Sequence, residues 1–334
     1  MAADVHFRRM LWMMLAGIIH WSLLLWYGEI LFAYSLCGLL LFALRKLPVR
    51  THLLLAGALL LGSVAMNYAH SSSVIEMQAA ADAAQAAQAA GGKITPEQGK
   101  AIEAWKEEQS HITPTPEDVA NQRAWHSGSY WNAVTGQLPG TYAFQWIGAP
   151  YWLIFDMIPF MLIGMALLRL GVLGAERPAR TYLLMMVGGY GIGLALGMRE
   201  LDLILASNFS VPGFAAASET YQFSRLAMVM GHLGLLLLAI RSGWLAGLQR
   251  ALGAVGQMAL TNYLMQTLIT MLLFYGFGFG LYEHFERYQL YGVVAAIWLA
   301  ELVWSPLWLA RFRFGPFEWL WRSLTYWQRQ PMRI

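Results

Sequence analysis

Two stretches of this chain, Met10–Trp26 and Tyr182–Met198, contain no Asp, Glu, Lys or Arg. Runs of this length leave little choice of environment. In hydrocarbon every backbone N–H and C=O must be satisfied within the segment or by its neighbours, and a helix does this alone. An ionisable side chain at the centre of a bilayer costs about 2.5–3.5 kcal/mol on insertion scales, so charges are driven out of such runs into clusters between them. The whole sequence follows that rule. Charged residues make up 12% of it and hydrophobic ones 58%, against about 25% charged in a soluble globular domain. The predicted fold class is all-α: a polytopic transmembrane helical bundle.

A span needs roughly 20 apolar residues, within a range of about 17–25, and the hydropathy yields about eight candidates. They lie near 10–26, 30–44, 52–70, 150–168, 181–198, 224–240, 254–277 and 289–310. Arg8 and Arg9 precede an apolar run with no small-residue cleavage site after it, so this run is read as a retained first span rather than a signal peptide. The other basic clusters are Arg45/Lys46/Arg50, Arg169/Arg177/Arg180, Arg241/Arg250 and the arginines from Arg311 onward. All fall on one side of such a bundle. Basic loops stay cytoplasmic, which places both termini inside a bacterial inner membrane. The formal net charge is only +3. Arginines that flank apolar runs do not form a phosphate-binding face, so the lipid bilayer is the expected partner and nucleic acid is excluded. The single cysteine, Cys37, rules out an internal disulfide and weighs against a Cys-based metal site.

This pattern divides the chain into 1–70 (three spans), 71–146 (a polar periplasmic insert), 147–310 (five spans) and 311–334 (a cytoplasmic interfacial tail). In the insert, Val74–Ala90 is an Ala/Gln-rich helix former. Thr95-Pro96-Glu97-Gln98 reads as a helix start, with Thr95 capping, Pro96 in the first position and Gln98 reaching back. Thr115-Pro116-Glu117-Asp118 repeats the pattern less perfectly. The simplest reading of the insert is a variable surface segment. In the tail, Gly315-Pro316 opens a helix on which Phe317, Leu320, Leu324 and Trp327 share a face, among further aromatic and basic residues. Such a helix prefers the headgroup layer.

Function is carried by the polar residues kept at membrane depth: His20, Asp156, His232, Asn262, Gln266 and Glu301. With a rise of about 1.5 Å per residue, they lie roughly 12–20 Å from the cytoplasmic ends of their spans, near the middle of a core about 30 Å thick. A shared level predicts a polar cavity between helices. His20 and His232 can serve as base or nucleophile, and Asp156 and Glu301 as proton carriers. Asn262 and Gln266, four residues apart, share a helix face and can orient a carbonyl or hydroxyl of an unknown small molecule. Pro159 and Pro306 each free a backbone carbonyl, which is tolerated where it lines a cavity. The plainer reading of Asn262, Gln266 and His232 is interhelical hydrogen bonding. Glu29, in the turn Trp26-Tyr27-Gly28-Glu29, could face the cavity mouth, with a solvated turn as the simpler alternative. The glycines at 17, 164, 188, 189, 191, 193 and 197 read as close-packing positions. There is no phosphate-binding loop, dinucleotide fingerprint or His-Glu-x-x-His zinc motif.

Several segments resemble the YeiB-type family of bacterial inner-membrane proteins. The resemblance is strongest in Gly256-Gln257-Met258-Ala259-Leu260-Thr261-Asn262-Tyr263-Leu264, in Leu273-Phe274-Tyr275-Gly276, in Ser305-Pro306-Leu307-Trp308-Leu309 and in the tail Arg313–Tyr326. It extends to Arg8-Arg9-Met10-Leu11, Gly17, His20 and Leu25-Trp26-Tyr27-Gly28. It covers most of the chain outside 71–146. Members of that family usually begin with two further spans, the first bearing a Leu-Arg-Gly motif, and the resemblance implies that this sequence starts after them. The family is similar to transmembrane acyltransferases that move an acyl group from acyl-coenzyme A to an acceptor across the membrane through an embedded histidine. The resemblance implies His20 as the acyl-handling residue, with Glu301 or Asp156 relaying its proton, acyl-coenzyme A as co-substrate and inner-face arginines meeting its phosphates. A small-solute or proton-coupled transporter using the same polar layer, and a structural membrane component without turnover, are the competing readings.

Overall fold

The computed structural model describes residues 2–148, 151 and 153–334. Among these no strand forms, and one isolated antiparallel bridge pairs Phe312 with Arg333. The first helices are α1 (Ala2–Leu23), α2 (Leu31–Leu44), α3 (Val49–Ala89), α4 (Pro96–Ser110), α5 (Pro116–Ser127) and α6 (Tyr130–Ala143). Two π-helical stretches follow, Phe144–Gly148 and Leu153–Met157. Then come α7 (Ile158–Arg169), α8 (Ala179–Ala206), α9 (Val211–Ser218), α10 (Tyr221–Ser242), α11 (Ala246–Gln257), α12 (Ala259–Phe274), α13 (Arg287–Leu309) and α14 (Pro316–Tyr326).

Helices α3, α8, α10 and α13 are long and apolar enough to cross a bilayer, and Tyr130–Gly148 with Leu153–Arg169 adds a fifth crossing if it counts as one broken span. Helices α2 and α12 are apolar but have only 14 and 16 residues. At about 1.5 Å per residue they fall short of a straight crossing. The all-helical membrane class therefore holds; among the described residues four or five helices reach the full length of a crossing, against the about eight spans expected from hydropathy. The expected start of one span at 150 lies outside the described residues.

Two boundaries differ for clear reasons. The span expected to end at 70 continues unbroken to Ala89 in a single helix of 41 residues. The residues that follow 70 are Ala- and Gln-rich, with neither Gly nor Pro before Gly91, so nothing stops a helix already nucleated upstream. The helix former of the insert is thus the extension of a span. The run 254–277 is instead divided at Met258 (φ −109°, ψ 25°) into α11 and α12. Asn262 Nδ2 donates to the Val255 carbonyl across this break at 3.1 Å, supplying a donor that the interrupted helix lacks. The first helix start in the insert forms as read: Thr95 Oγ1 accepts from Gln98 N–H and Gln98 Oε1 accepts from Thr95 N–H. At the second, Asp118 takes the place of Gln, accepting from Thr115 N–H at 2.9 Å and from its hydroxyl at 2.6 Å.

The chain folds into two compact units that alternate along the sequence. The first comprises 1–46, 119–157 and 245–334; the second comprises 47–118 and 158–244. Within the second unit, α3 packs against α4, α7 and α9, and α8 packs along α10. A Cβ at Gly189 would sit 2.3 Å from the Gly231 backbone nitrogen, so this pair meets through bare backbone, as membrane helices do at small-residue faces. Gly164, Gly188, Gly191 and Gly197 have open space at the same test, which corrects the expectation that all of them pack closely.

Within the first unit, α1 packs on α2, α6 and α14, and α14 also meets α12. The tail helix is fastened by a cap supplied from another element. Glu318, on α14, accepts from the Thr261 N–H at 2.9 Å and from the Thr261 hydroxyl at 2.5 Å, in the first turn of α12. A carboxylate at a helix N-terminus satisfies orphan donors and complements the helix dipole. Trp327, expected on the apolar face of the tail helix, instead ends it with φ 53° and is 69% exposed. Replacing Glu318 with Ala should cost about 0.5–2 kcal/mol, the range for losing a cap. The tail would be released, and trypsin should cut at Arg322 and Arg329 faster than in the parent protein. Unchanged cleavage would show that the cap does not hold the tail.

Candidate functional site

The first unit contains a buried chain of polar groups that begins where α1 gives way to α2. The turn after α1 passes through Leu25 at φ 58°. It is held by Tyr130, whose hydroxyl donates to Leu23 O, and by Gln137, whose amide donates to Leu25 O. Gln145, on the first π-helical stretch, donates to the Glu29 backbone carbonyl at 3.2 Å. This turn aims the Glu29 side chain inward. Glu29 is 3% exposed, which corrects the solvated-turn reading. Its carboxylate accepts from Leu31 N–H at 2.5 Å and Phe32 N–H at 2.8 Å, at the start of α2. Two backbone donors and the positive end of the helix compensate the desolvation of the charge.

Opposite the carboxylate stands His20, fully buried on α1. Its Nδ1 lies 3.5 Å from Glu29 Oε1 and its Nε2 lies 2.8 Å from the Thr267 hydroxyl on α12. With Nδ1–H directed at the carboxylate, Nε2 is left to accept the Thr267 proton. The order is acid, imidazole, hydroxyl, in which the acid orients the ring and the ring serves as base to the hydroxyl. The Tyr263 ring packs edge-on against His20 with centroids 4.8 Å apart. Gly17 makes this meeting possible. A Cβ there would lie 2.5 Å from Phe32 N and 2.8 Å from Glu29 Oε2.

Further polar ties join α12 to α13. Gln266 Nε2 donates to Glu301 Oε1 at 2.8 Å. Asn262 accepts from the Trp304 indole N–H at 2.9 Å and donates to the Ser305 hydroxyl at 3.1 Å. These contacts fit helix-to-helix bonding, the plainer role foreseen for Asn262 and Gln266. His20, Glu29, Asn262, Gln266 and Glu301 therefore share one unit. Asp156 lies in that unit too, half-buried on the Leu153–Met157 stretch, and makes no hydrogen bond to His20, Glu29 or Thr267 among the described residues. Pro159, which lacks an N–H, follows directly where the wide turns revert to α-helix. His232 belongs to the second unit. It is exposed, its Nδ1 bonds to its own helix at Met228 O (2.7 Å) and Tyr190 meets its ring edge-on.

Cavities flank the His20 chain. One of about 430 Å³ has Thr267, Thr270 and Trp26 on its wall and is rimmed by His126, Tyr282 and Glu283. A second, of about 190 Å³, shares those same three wall residues and adds Gln266 and Trp298. The Thr267 side chain thus borders both. A third, of about 340 Å³, is almost wholly apolar and lies between α1, α2, α12 and α14, with Tyr263 on its wall. At the rim of the first, the His126 ring stacks on Tyr282 and Tyr275 with centroids 4.1 and 4.8 Å apart. Glu283 receives two hydrogen bonds from Arg123, at 2.7 and 3.2 Å, which hold its carboxyl below the usual carboxylate range.

Thr267 and Thr261 escape a search for ionisable residues at depth, because a threonine in an apolar run carries no signal until its partner is known. Glu29 was visible but its direction was not.

Apolar helices that enclose a buried acid–imidazole–hydroxyl chain mark a helical membrane protein. The chain belongs to the YeiB-type family. "Uncharacterized protein YeiB" of Escherichia coli (strain K12) is 31% identical over 341 residues, covering 95% of this chain and 74% of that protein. "Uncharacterized protein YxaH" of Bacillus subtilis (strain 168) is 29% identical over 346 residues, covering 98% of this chain and 73% of that one. The family described as "Protein of unknown function (DUF418)" matches residues 167–328, a segment that includes Thr267 and Glu301. No solved structure matches the chain.

Gly17→Ala should drive a methyl group into Phe32 and Glu29 and cost about 1–3 kcal/mol through overpacking, lowering the unfolding midpoint in detergent. An unchanged midpoint would mean that α1 and α2 are not locked at this point. At the rim, the lowered carboxyl of Glu283 fixes the sign of a pH effect. The link to Arg123 is fully present above the ordinary carboxylate value of 4.5 and is lost only as pH falls through the lowered one. Carbodiimide labelling of Glu283 should therefore begin at lower pH than in Arg123→Gln. Equal onset in both proteins would remove the link.

Proposed function

We propose that this protein is a multi-pass enzyme of the bacterial inner membrane that transfers an acyl group to a hydroxyl acceptor, with His20 as general base. The single observation that carries the reading is the Glu29–His20–Thr267 order, with the hydroxyl end on the wall of two cavities. An imidazole whose far nitrogen faces a carboxylate is held in one tautomer, and its other nitrogen, hydrogen-bonded to the Thr267 hydroxyl at 2.8 Å, can take that hydroxyl's proton as Thr267 accepts one from an attacking hydroxyl in the cavity. In this reading Glu29 is the acid partner of His20, in place of Glu301 or Asp156 as relay of its proton. Acyl-coenzyme A is the proposed donor: its thioester C–S bond breaks as the new C–O bond forms, and the coenzyme leaves as a thiol carrying the proton that His20 took. In this reading the bundle has about eight spans, some short or broken, with both termini and the basic loops inside.

Purified protein in nanodiscs, supplied with acyl-coenzyme A labelled in its acyl group, should release or transfer the label. Removal of a positioned general base costs about 10²–10⁴-fold in rate, so His20→Ala should lose most of the turnover. Glu29→Gln should lose less, since its amide still fills the site. Absence of both binding and label release in the parent protein would reject the reading, as would full activity in His20→Ala.

A second reading, proton-coupled transport of a small solute, is favoured by Gln266. It lies on the wall of the cavity that shares Thr267 and Thr270 with the larger one, and it binds Glu301. Uptake into proteoliposomes that Glu301→Gln abolishes while the acyl assay stays silent would establish it over the first. Uptake indifferent to this change would remove it.

A further inference from the structure

The apolar cavity between α1, α2, α12 and α14 takes no part in the chemistry proposed above. Its volume of about 340 Å³ falls in the range of small-molecule sites. Its walls include Trp12, Ala16, Leu260, Leu264, Phe317 and Leu324. At its edge Ile30, Tyr34 and Leu320 are 40–45% exposed, so the cavity opens sideways from the helices rather than lying sealed among them.

Beside it, sharing Trp321, is a small slot of about 60 Å³ lined by Arg9, Arg322, Thr325 and Tyr326. The Arg9 guanidinium stacks on the Trp321 ring at 4.5 Å, and that of Arg322 stacks on Phe314 at 4.5 Å. Neither forms an ion pair among the described residues. Stacking fixes the plane of a guanidinium and leaves its N–H edges free for an anion. The wall also holds Thr325, which is 3% exposed and whose hydroxyl has no hydrogen-bond partner among the described residues. A buried hydroxyl without a partner is costly. Here it sits with two unpaired cations around a space of phosphate size.

We propose that this composite site binds one anionic glycerophospholipid, with an acyl chain in the apolar cavity and the phosphodiester between Arg9, Arg322 and Thr325. An acyl chain gains little on leaving the bilayer for an apolar cavity, because lipid tails are as apolar as the cavity wall. Selectivity therefore resides in the headgroup slot, where basic residues at the membrane surface attract anionic lipids. The amphipathic helix α14 supplies both halves: Phe317, Leu320 and Leu324 on the chain side, Arg322 and Thr325 on the headgroup side. The site rests on the helix packing alone and not on the acyl-transfer reading.

The test is native mass spectrometry of the full chain, purified in detergent from vesicles of equal phosphatidylglycerol and phosphatidylcholine. One phosphatidylglycerol should remain on each chain, in preference to phosphatidylcholine. Arg9→Gln with Arg322→Gln should lower retention roughly fivefold or more. Thr325→Val, of nearly the same shape, should lower it without lowering the unfolding midpoint of the lipid-free protein. Leu264→Trp, which fills the chain cavity and leaves both arginines in place, should also displace the lipid. Equal retention of the two lipids by the parent protein would overturn the proposal, as would undiminished retention in both headgroup variants. So would release of the bound lipid by millimolar inorganic phosphate alone, which would mark a simple phosphate site.

Discussion

A carboxylate can be buried in an apolar helical unit only where donors meet it, and Glu29 meets two backbone N–H groups at the head of α2. Much of the first unit follows from that fixed charge. The turn after α1 must bend back to deliver it, with Tyr130, Gln137 and Gln145 from the neighbouring segment tying down its carbonyls. Gly17 must be bare for α1 to reach α2. His20 must present Nδ1 to the carboxylate, and this leaves Nε2 facing Thr267 on a helix nearly 250 positions away in sequence. A local cap and a long-range hydrogen bond are two ends of one electrostatic arrangement. The cap lowers the cost of the charge, and the charge orients the ring.

How much of this was legible depended on the range of the interaction. The capping box at Thr95 was readable because all its atoms lie within four residues, as was the helix start at Gly315-Pro316. The continuation of α3 to Ala89 was readable in principle, since it needs only the absence of a breaker. A change from apolar to polar composition was mistaken for a change of structure. The break at Met258 was hidden for the opposite reason. Its sequence is apolar throughout, and the interruption is supported by a side chain, Asn262, returning to Val255 O. Of the six residues read at one depth, His20, Asp156, Asn262, Gln266 and Glu301 fall in the first unit and His232 in the second. Depth could not assign partners, because a helix of known depth has unknown rotation. Glu301 was expected to serve a histidine and instead accepts from Gln266, while Glu29, considered only for the cavity mouth or a solvated turn, faces His20.

The alternation of the two units along the chain also bears on the site. All groups of the His20 chain, their supporting turn and the tail helix fall in segments of the first unit that are far apart in sequence. The longest uninterrupted apolar helices but one, α3, α8 and α10, belong to the second. The His20 chain runs from α1 to two shorter helices: Glu29 caps α2, of 14 residues, and Thr267 lies on α12, of 16. This division has a physical basis. A long straight apolar helix satisfies its own backbone and offers no free donors, whereas each helix end exposes several. Ends inside a membrane protein are tolerated where something binds them.

The ends of α2 and α12 show the same solution twice. Glu29 occupies the first turn of α2 from the preceding turn, and Glu318 occupies the first turn of α12 from the tail. Both are acidic, both are buried, and each brings a separate element into contact with the helix it caps. The second cap ties α14, which supplies Phe317, Leu320, Trp321 and Leu324 to the wall of the apolar cavity, to the head of α12. The acid that orients His20 and the acid that positions α14 are therefore related in kind. In each case a short helix that cannot complete its own hydrogen bonding recruits a charge, and the recruited charge fixes the place of a second group, an imidazole in one case and an aromatic and basic helix in the other.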